Sequence, residues 1–213
     1  MHVKFEVLIP GGTIRVSPYV FAPYSTVCLL YDEKRLILID PGGFPAYEAL
    51  EKVLMEKNIK PEDVSDILIT HVHMDHIFNT VFFKNATVYV HEKALERKYA
   101  DFGPLSGKLY SNVVYSWKQV QTLKGGETLF NCVNVYFTPY HSSDHLSFLI
   151  ETENMGKVFV TGDICLTRID YYEMIKGYRN DDAAKFIREM SKNCDWIVFP
   201  HGEPLKVGQK ERG

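Results

Sequence analysis

The chain of 213 residues is 46% hydrophobic and 24% charged, which is enough apolar material for a sizeable core, and we expect a single domain over residues 1–213. Its formal net charge of -3 excludes a general attraction to nucleic acids, which would require a local basic patch. The four cysteines are dispersed, and Lys4 and Glu6 interrupt the apolar start of the chain, so we expect reduced thiols, neither a secretory leader nor a membrane span, and a cytoplasmic location.

The first third of the chain has the pattern of a sheet with one covering helix. Strands are predicted at residues 3–16, 26–31 and 35–40, and they would form an antiparallel sheet. In residues 45–58, Leu50, Val53 and Leu54 recur at helical spacing between charges, which predicts an amphipathic helix that covers this sheet. A short buried strand at residues 66–70 follows and delivers the next segment at its carboxyl end.

The remainder of the chain repeats this arrangement. We predict a strand at residues 87–90, a helical stretch over 91–99 and an irregular aromatic segment over 102–118. Further strands are predicted at residues 133–137, 146–151, 157–161 and 196–199, with a turn at 154–156 and a helix at 181–192. Two runs of strands, each with helices that can cover one face, predict an α/β fold of two packed sheets with helices outside, a four-layer αββα sandwich.

Side chains of the types that bind metals stand where the apolar runs end. The segment THVHMDH alone contributes four of them, and the complete set is His71, His73, Asp75, His76, His141, Asp163 and His201. Imidazole nitrogen and carboxylate oxygen suit zinc, iron or manganese, and we expect two divalent ions, with zinc the default. Five of the eight histidines belong to this set, and three of them fall within six residues, whereas His2 and His91 are expected to have no part in it.

The spacing predicts how two ions are shared. Residues two apart in an extended segment point the same way, so His71 and His73 can converge on one ion. If a helix begins near Asp75, that residue and His76 can reach a second ion. His141 would complete the first site and His201 the second, and the two oxygens of Asp163 can bridge both ions.

These motifs together resemble the metallo-β-lactamase fold superfamily. The resemblance rests on THVHMDH, on TPYHSSDHLSF with His141, on TGD with Asp163 and on PHGEP with His201, and it covers almost the whole chain. It implies the ligand sets given above and a hydroxide held between two metals as the nucleophile, with Asp75 and Asp163 as catalytic residues. In LILIDPGG, Asp40 resembles the aspartate that orients a ligand-bearing loop, and His145 is expected either to support a ligand from behind or to face the substrate.

Within this superfamily we expect a small, single-domain hydrolase of an ester, thioester or lactone of low molecular weight. Thioester hydrolases of the family carry an extra C-terminal region, for which the twelve residues after His201 leave no room. Lactonases often place a tyrosine soon after the bridging aspartate, whereas Cys165 and Leu166 stand here. Neither class is strongly favoured by the sequence.

Two alternative activities remain open. One segment, DHIFNTVFFKNATVYVH, is similar to compact members of the superfamily that include animal proteins thought to cut RNA. A phosphodiesterase or ribonuclease is therefore the second hypothesis. A nuclease would need the basic and aromatic residues of segment 93–118 to bind phosphates and bases. We expect these residues instead to pack over the pocket or against a partner subunit in a homodimer. Persulfide dioxygenases, which use a single iron, share most of these motifs, and this activity is the third hypothesis.

Overall fold

Two six-stranded sheets lie face to face at the centre of the molecule. The structure is a computed structural model that describes residues 3–16 and 18–208. Its strands are β1 Lys4–Ile9, β2 Gly12–Val16, β3 Val20–Tyr24, β4 Val27–Tyr31, β5 Leu36–Ile39, β6 Asp66–Leu68, β7 Thr87–His91, β8 Gln119–Leu123, β9 Thr128–Leu129, β10 Val133–Phe137, β11 Leu146–Thr152, β12 Gly156–Val160, β13 Trp196–Val198 and β14 Leu205–Lys206. Its α-helices are α1 Tyr47–Glu56, α2 Met74–Ile77, α3 Lys93–Glu96, α4 Ser106–Val114, α5 Arg168–Lys176 and α6 Asp182–Met190.

The strand order places several strand ends at one edge of the molecule. The first sheet has the order β1-β4-β5-β6-β7-β8, in which β5 to β8 run parallel. The second has the order β14-β13-β12-β11-β10-β9 and is antiparallel except for the pair β12 and β13. Strands β2 and β3 form a separate hairpin. The loops after parallel strands meet at one edge, where a site can be assembled.

Three apolar clusters hold the layers together. The central cluster joins buried side chains of both sheets, among them Phe5, Leu30, Phe148 and Val160. A second cluster packs α1 and α4 on the outer face of the first sheet, and a third packs α5 and α6 on the outer face of the second. Helices therefore cover each sheet from outside, and the predicted αββα sandwich is confirmed.

Most predicted elements are present with small changes of boundary. Helix α1 is preceded by a 3₁₀ turn, Phe44–Ala46, and buries Leu50 and Leu54 as its spacing predicts. The range 3–16 contains two strands rather than one, because β1 ends at Ile9 to pair with β4 and β2 begins at Gly12 to pair with β3. Within the described residues, no helix has the length and apolar character to cross a bilayer.

Two predictions of secondary structure were wrong, and some elements were missed. Segment 102–118 is not irregular, since it contains α4, whose Tyr110, Val113 and Val114 pack on the core at helical spacing. The predicted helix over 91–99 is reduced to the single turn α3. Strand β8 and helix α5 were missed, because β8 is exposed over most of its length and α5 has only Met174 fully buried. Tertiary packing stabilises such elements without a strong local pattern.

Candidate metal centre

The seven predicted ligands come together at the edge where the parallel strands end. His71 follows β6, His73 precedes α2, and Asp75 and His76 lie on that short helix. The second sheet contributes its three ligands from the loops after β10, β12 and β13, namely His141, Asp163 and His201. Both sheets are therefore needed to assemble the cluster, which is buried to different degrees but open towards His141.

Four of these residues form a first group. His73 Nδ1 lies 2.9 Å from His71 Nε2 and 3.1 Å from His141 Nε2. Asp163 Oδ2 lies 3.5 Å from His141 Nε2 and 3.8 Å from His71 Nε2. A tetrahedral zinc ion with nitrogen ligands at about 2.1 Å keeps them about 3.4 Å apart, so the three nitrogens and this oxygen match the donor set of one ion.

Three residues form a second group beside it. Asp75 Oδ2 lies 3.5 Å from both His76 Nε2 and His201 Nε2. The other oxygen of Asp163, Oδ1, lies 3.0 Å from His76 Nε2. Asp163 thus lies between the groups, with Oδ1 next to His76 and Oδ2 next to His141 and 3.8 Å from His201 Nε2, a position from which a carboxylate can bridge two ions.

Unsatisfied buried atoms provide an independent test of whether a cation fits here. Within the described part of the chain, the buried side-chain polar atoms that lack a hydrogen-bond partner are His76 Nε2, Asp163 Oδ1 and Asn79 Oδ1. The first two face each other in the second group. A buried polar atom without a partner is costly, and an ion bound to both removes that cost. The donor set therefore fits a metal centre.

Comparison with known proteins identifies the family. The family model of the metallo-beta-lactamase superfamily matches residues 22–201, which include every ligand named above. The chain belongs to the metallo-beta-lactamase superfamily. Family membership and the cluster together indicate a metal-dependent hydrolase.

Similar proteins span several biological sources. A solved structure of a Thermotoga maritima protein of the metallo-beta-lactamase type is 45% identical, covers 97% of this chain and 100% of its own, and superposes with a TM-score of 0.92. Metallo-beta-lactamase domain-containing protein 1 of Xenopus laevis is 27% identical over 95% of this chain and 81% of its own length. An N-acyl homoserine lactonase of Bacillus cereus is 26% identical over 95% of this chain and 88% of its own length.

In this member of the superfamily, hydrogen bonds from outside the cluster orient His76 and His201. Asp40 accepts bonds from the Thr70 amide at 2.8 Å, the Thr70 hydroxyl at 2.7 Å and His76 Nδ1 at 2.9 Å. These bonds hold the ring of His76 with its Nε2 directed towards the cluster. Asp40 adopts φ 45°, a left-handed conformation that aspartate tolerates better than most residues. His201 Nδ1 likewise donates to the Tyr24 carbonyl, at 3.2 Å.

His145 lies behind Asp163. Its Nε2 accepts a hydrogen bond from the Asp163 amide at 2.9 Å, and its Nδ1 donates to Thr138 Oγ1 at 2.8 Å. The ring is fully buried, and Gly162, with φ 55°, leaves room for it because any Cβ there would collide with Nε2. Both ring nitrogens are thus engaged away from the cluster, so the geometry favours the supporting role over the substrate-facing one.

The sequence reasoning missed a buried ion pair that joins three segments. Asp144 accepts hydrogen bonds from the Val72 amide at 2.9 Å and the Ser142 hydroxyl at 2.7 Å, and it pairs with Arg97. It is 1% exposed and lies between His141 and His145 in sequence. The pair therefore ties the loop of His141 to the segment that contains His71 and His73. An acidic residue between two histidines in TPYHSSDHLSF is the local signal that could have found it.

The pKa shifts of the histidines differ between the two groups. Burial lowers the pKa of His71 well below its usual value and that of His73 to about 4, and the pKa of His141 is lowered by burial as well. Burial also opposes the charged form of His76, but the carboxylates of Asp163, Asp75 and Asp40 outweigh it and raise its pKa well above 6.5. Imidazoles of the first group are thus neutral and ready to bind a metal, whereas His76 holds a proton that a metal must displace.

This difference predicts that the two groups lose metal at different pH. A ligand with a lowered pKa stays available until the pH falls to that pKa, whereas one with a raised pKa becomes protonated while the pH is still near neutral. Because protons compete with the metal, we expect the metal content to fall from about two ions to about one per chain as the pH is lowered from about 8 to about 5. Elemental analysis after dialysis at each pH measures this, with circular dichroism to check the fold. Simultaneous loss of both ions would contradict it.

Proposed function

We propose that the protein is a two-metal hydrolase of a small ester or lactone. The observation that carries this proposal is the position of Asp163. Its two oxygens face two separate groups of side chains that can bind metal. Two divalent ions bound there would lower the pKa of a shared water to near neutral and polarise a carbonyl oxygen. His71, His73 and His141 would hold one ion, and Asp75, His76 and His201 the other, with Asp163 between them.

The protein side chains have distinct tasks in this reaction. Asp163 places negative charge between the two ligand groups and offsets part of the metal charge. The bond from its amide to His145 keeps its carboxylate in place. Asp75 is only partly buried, so its carboxylate can orient a nucleophilic water as well as bind the second ion. Asp75 and Asp163 are therefore the catalytic residues of this proposal.

Three exposed apolar side chains, here called the apolar rim, stand in segments that adjoin predicted ligands and support a substrate with an apolar part. We define the rim as Phe44, Tyr140 and Leu166, which are 61%, 46% and 36% exposed. Phe44 follows Gly43, which packs directly on Asp75, and Tyr140 precedes His141. The Leu166 carbonyl accepts from the His201 amide at 3.1 Å. Exposed apolar side chains clustered beside a polar centre mark a binding site for a partly apolar molecule. The relative from Bacillus cereus, named as a lactonase, supports the same substrate class.

Three of the residues in segment 93–118 that a nuclease could use are engaged in the fold. In segment 93–118, Arg97 is paired with buried Asp144, and Tyr99 is 4% exposed. Trp117 packs on the core and donates its Nε1 proton to Thr80 at 2.7 Å. These side chains are unavailable to phosphates and bases, which favours the ester over the phosphodiester. The second ligand group likewise favours two ions over the single iron of a dioxygenase.

A substrate screen with measured metal content tests this function. Purified protein loaded with zinc is expected to contain about two ions per chain and to hydrolyse γ-lactones or alkyl esters with a kcat/KM at least about 100-fold above that for bis(4-nitrophenyl) phosphate, because Arg97, Tyr99 and Trp117 are held in the fold and cannot contact a phosphodiester. A thioester of the same acid and a persulfide complete the panel. Preference for the phosphodiester, or oxygen-dependent turnover of the persulfide with one iron, would contradict the proposal. A His73→Ala variant serves as the background control.

A further inference from the structure

The hydroxyl group of Tyr110 lies at the edge of the metal centre. Tyr110 is on α4, and its phenolic oxygen accepts a hydrogen bond from the Met74 amide at 3.2 Å. Met74 stands between His73 and Asp75 in the ligand segment, and the phenol interacts electrostatically with Asp75 and His76. The hydroxyl therefore reaches the end of α2 from which both ligand groups receive residues.

The Tyr110 proton is free to be donated. The bond with Met74 uses the phenolic oxygen as the acceptor, and no acceptor for the phenolic hydrogen is found among residues 3–16 and 18–208. Burial raises the pKa of Tyr110, so the hydroxyl keeps its hydrogen at neutral pH. A donor that is fixed in place, half-buried and bonded to the segment that carries His73 and Asp75 is suited to contact a molecule bound at the centre.

Packing fixes the ring of Tyr110 in its position. It stacks on Tyr99 with ring centroids 5.7 Å apart and an interplanar angle of 6°, and Phe102 approaches it edge-on at 4.9 Å. Tyr99, in contrast, directs its hydroxyl to the Ala94 carbonyl at 2.7 Å, inside the protein. The two stacked tyrosines thus differ in whether the hydroxyl hydrogen is already donated. The Tyr99 hydroxyl donates within the fold, and the Tyr110 hydroxyl does not.

We infer that Tyr110 is a substrate-contacting residue that donates a hydrogen bond to the alkoxy oxygen of an ester or lactone bound at the metal centre. This inference rests on the proposed function. Negative charge develops on the alkoxy oxygen as the bond from the carbonyl carbon to that oxygen breaks, and a donor already in place stabilises it. Tyr110 keeps its proton in this role. The hydroxide that attacks the carbonyl carbon becomes part of the acid and its hydrogen passes to the alkoxy oxygen, so the products are a carboxylate and an alcohol and no proton is taken from the phenol.

Binding of a hydrolysis product tests the inference without turnover. The probe is 4-hydroxybutyrate, the ring-opened form of γ-butyrolactone, and its reference is butyrate, which lacks the hydroxyl oxygen. We expect the ratio of the two Kd values in zinc-loaded protein to favour 4-hydroxybutyrate about fivefold more in the wild type than in Tyr110→Phe, the scale of one hydrogen bond. Titration calorimetry measures the four constants. Tyr99→Phe is the matched control and is expected to retain the wild-type ratio.

Activity and metal content separate this role from a structural one. For γ-butyrolactone, kcat/KM is expected to fall about 10- to 100-fold in Tyr110→Phe at unchanged zinc content, as removal of a transition-state donor does. An unchanged Kd ratio, absence of binding of both acids to the wild type, or a loss of activity that excess zinc restores would each overturn the inference. Failure of the proposed function is distinguishable, because the wild type would then bind 4-hydroxybutyrate with the preference described but turn over neither lactones nor esters.

Discussion

Replacing Asp163 by alanine is expected to remove metal and activity together. Its two oxygens face His76 at 3.0 Å and His141 at 3.5 Å, so the substitution takes one donor from each ligand group. The substitution also lowers the pKa of His76, because the carboxylate of Asp163 is one of the groups that raise it. We expect less than about one zinc ion per chain and a fall of about 10³-fold or more in kcat/KM, the scale of losing a group that stabilises transition-state charge.

Metal content after gel filtration and steady-state kinetics on the same sample measure both effects. Asp182→Ala, at an exposed carboxylate on α6, is the matched control and should leave both quantities unchanged. Thermal unfolding of the metal-free proteins establishes that the variant folds. Two ions per chain with full turnover in Asp163→Ala would show that this carboxylate does not bridge the two groups.

Replacing Arg97 by alanine is expected to destabilise the protein more than any exposed substitution on the same face. The change leaves Asp144, which is 1% exposed, without the only cation with which it forms an ion pair in the described part of the chain. Removing one partner of a buried pair costs about 3–5 kcal/mol of the free energy of unfolding, because the remaining charge is uncompensated. Zinc affinity should fall as well, since Asp144 joins the loops of His141 and Val72.

Urea unfolding of the metal-free protein measures this loss. Lys98→Ala, at the neighbouring exposed cation, is the control and should change the free energy of unfolding by less than about 0.5 kcal/mol. Adding Asp144→Asn to Arg97→Ala removes the stranded charge and should recover part of the stability. Equal losses in Arg97→Ala and Lys98→Ala would show that the pair contributes nothing beyond an ordinary surface contact.

The local sequence pattern was sufficient to predict the elements that are buried on one face or on both faces. Helix α1 and strands β4 and β5 have strong patterns, and they lie where the sequence predicts them. The sequence of segment 102–118 predicts no helix, because Gly107 and the valines and tyrosine of α4 have low helix propensity. The helix forms because Tyr110, Val113 and Val114 are buried against other elements, which no window of the sequence contains. The same packing decides that Tyr99 and Trp117 support the fold instead of facing a ligand.

The sequence by itself determined which side chains have metal-ligand chemistry, because residue type and position at the ends of apolar runs are local properties. The histidines and aspartates from His71 to His201 were predicted as ligands in this way, and the structure brings them into two adjacent groups. Only the tertiary structure decided how they are oriented and supported. Asp40 reaches His76 across 36 residues, Arg97 reaches Asp144 across 47, and Tyr110 reaches Met74 across 36. Such contacts depend on how two sheets and their helices pack, and the periodicity of a single segment carries no information about them.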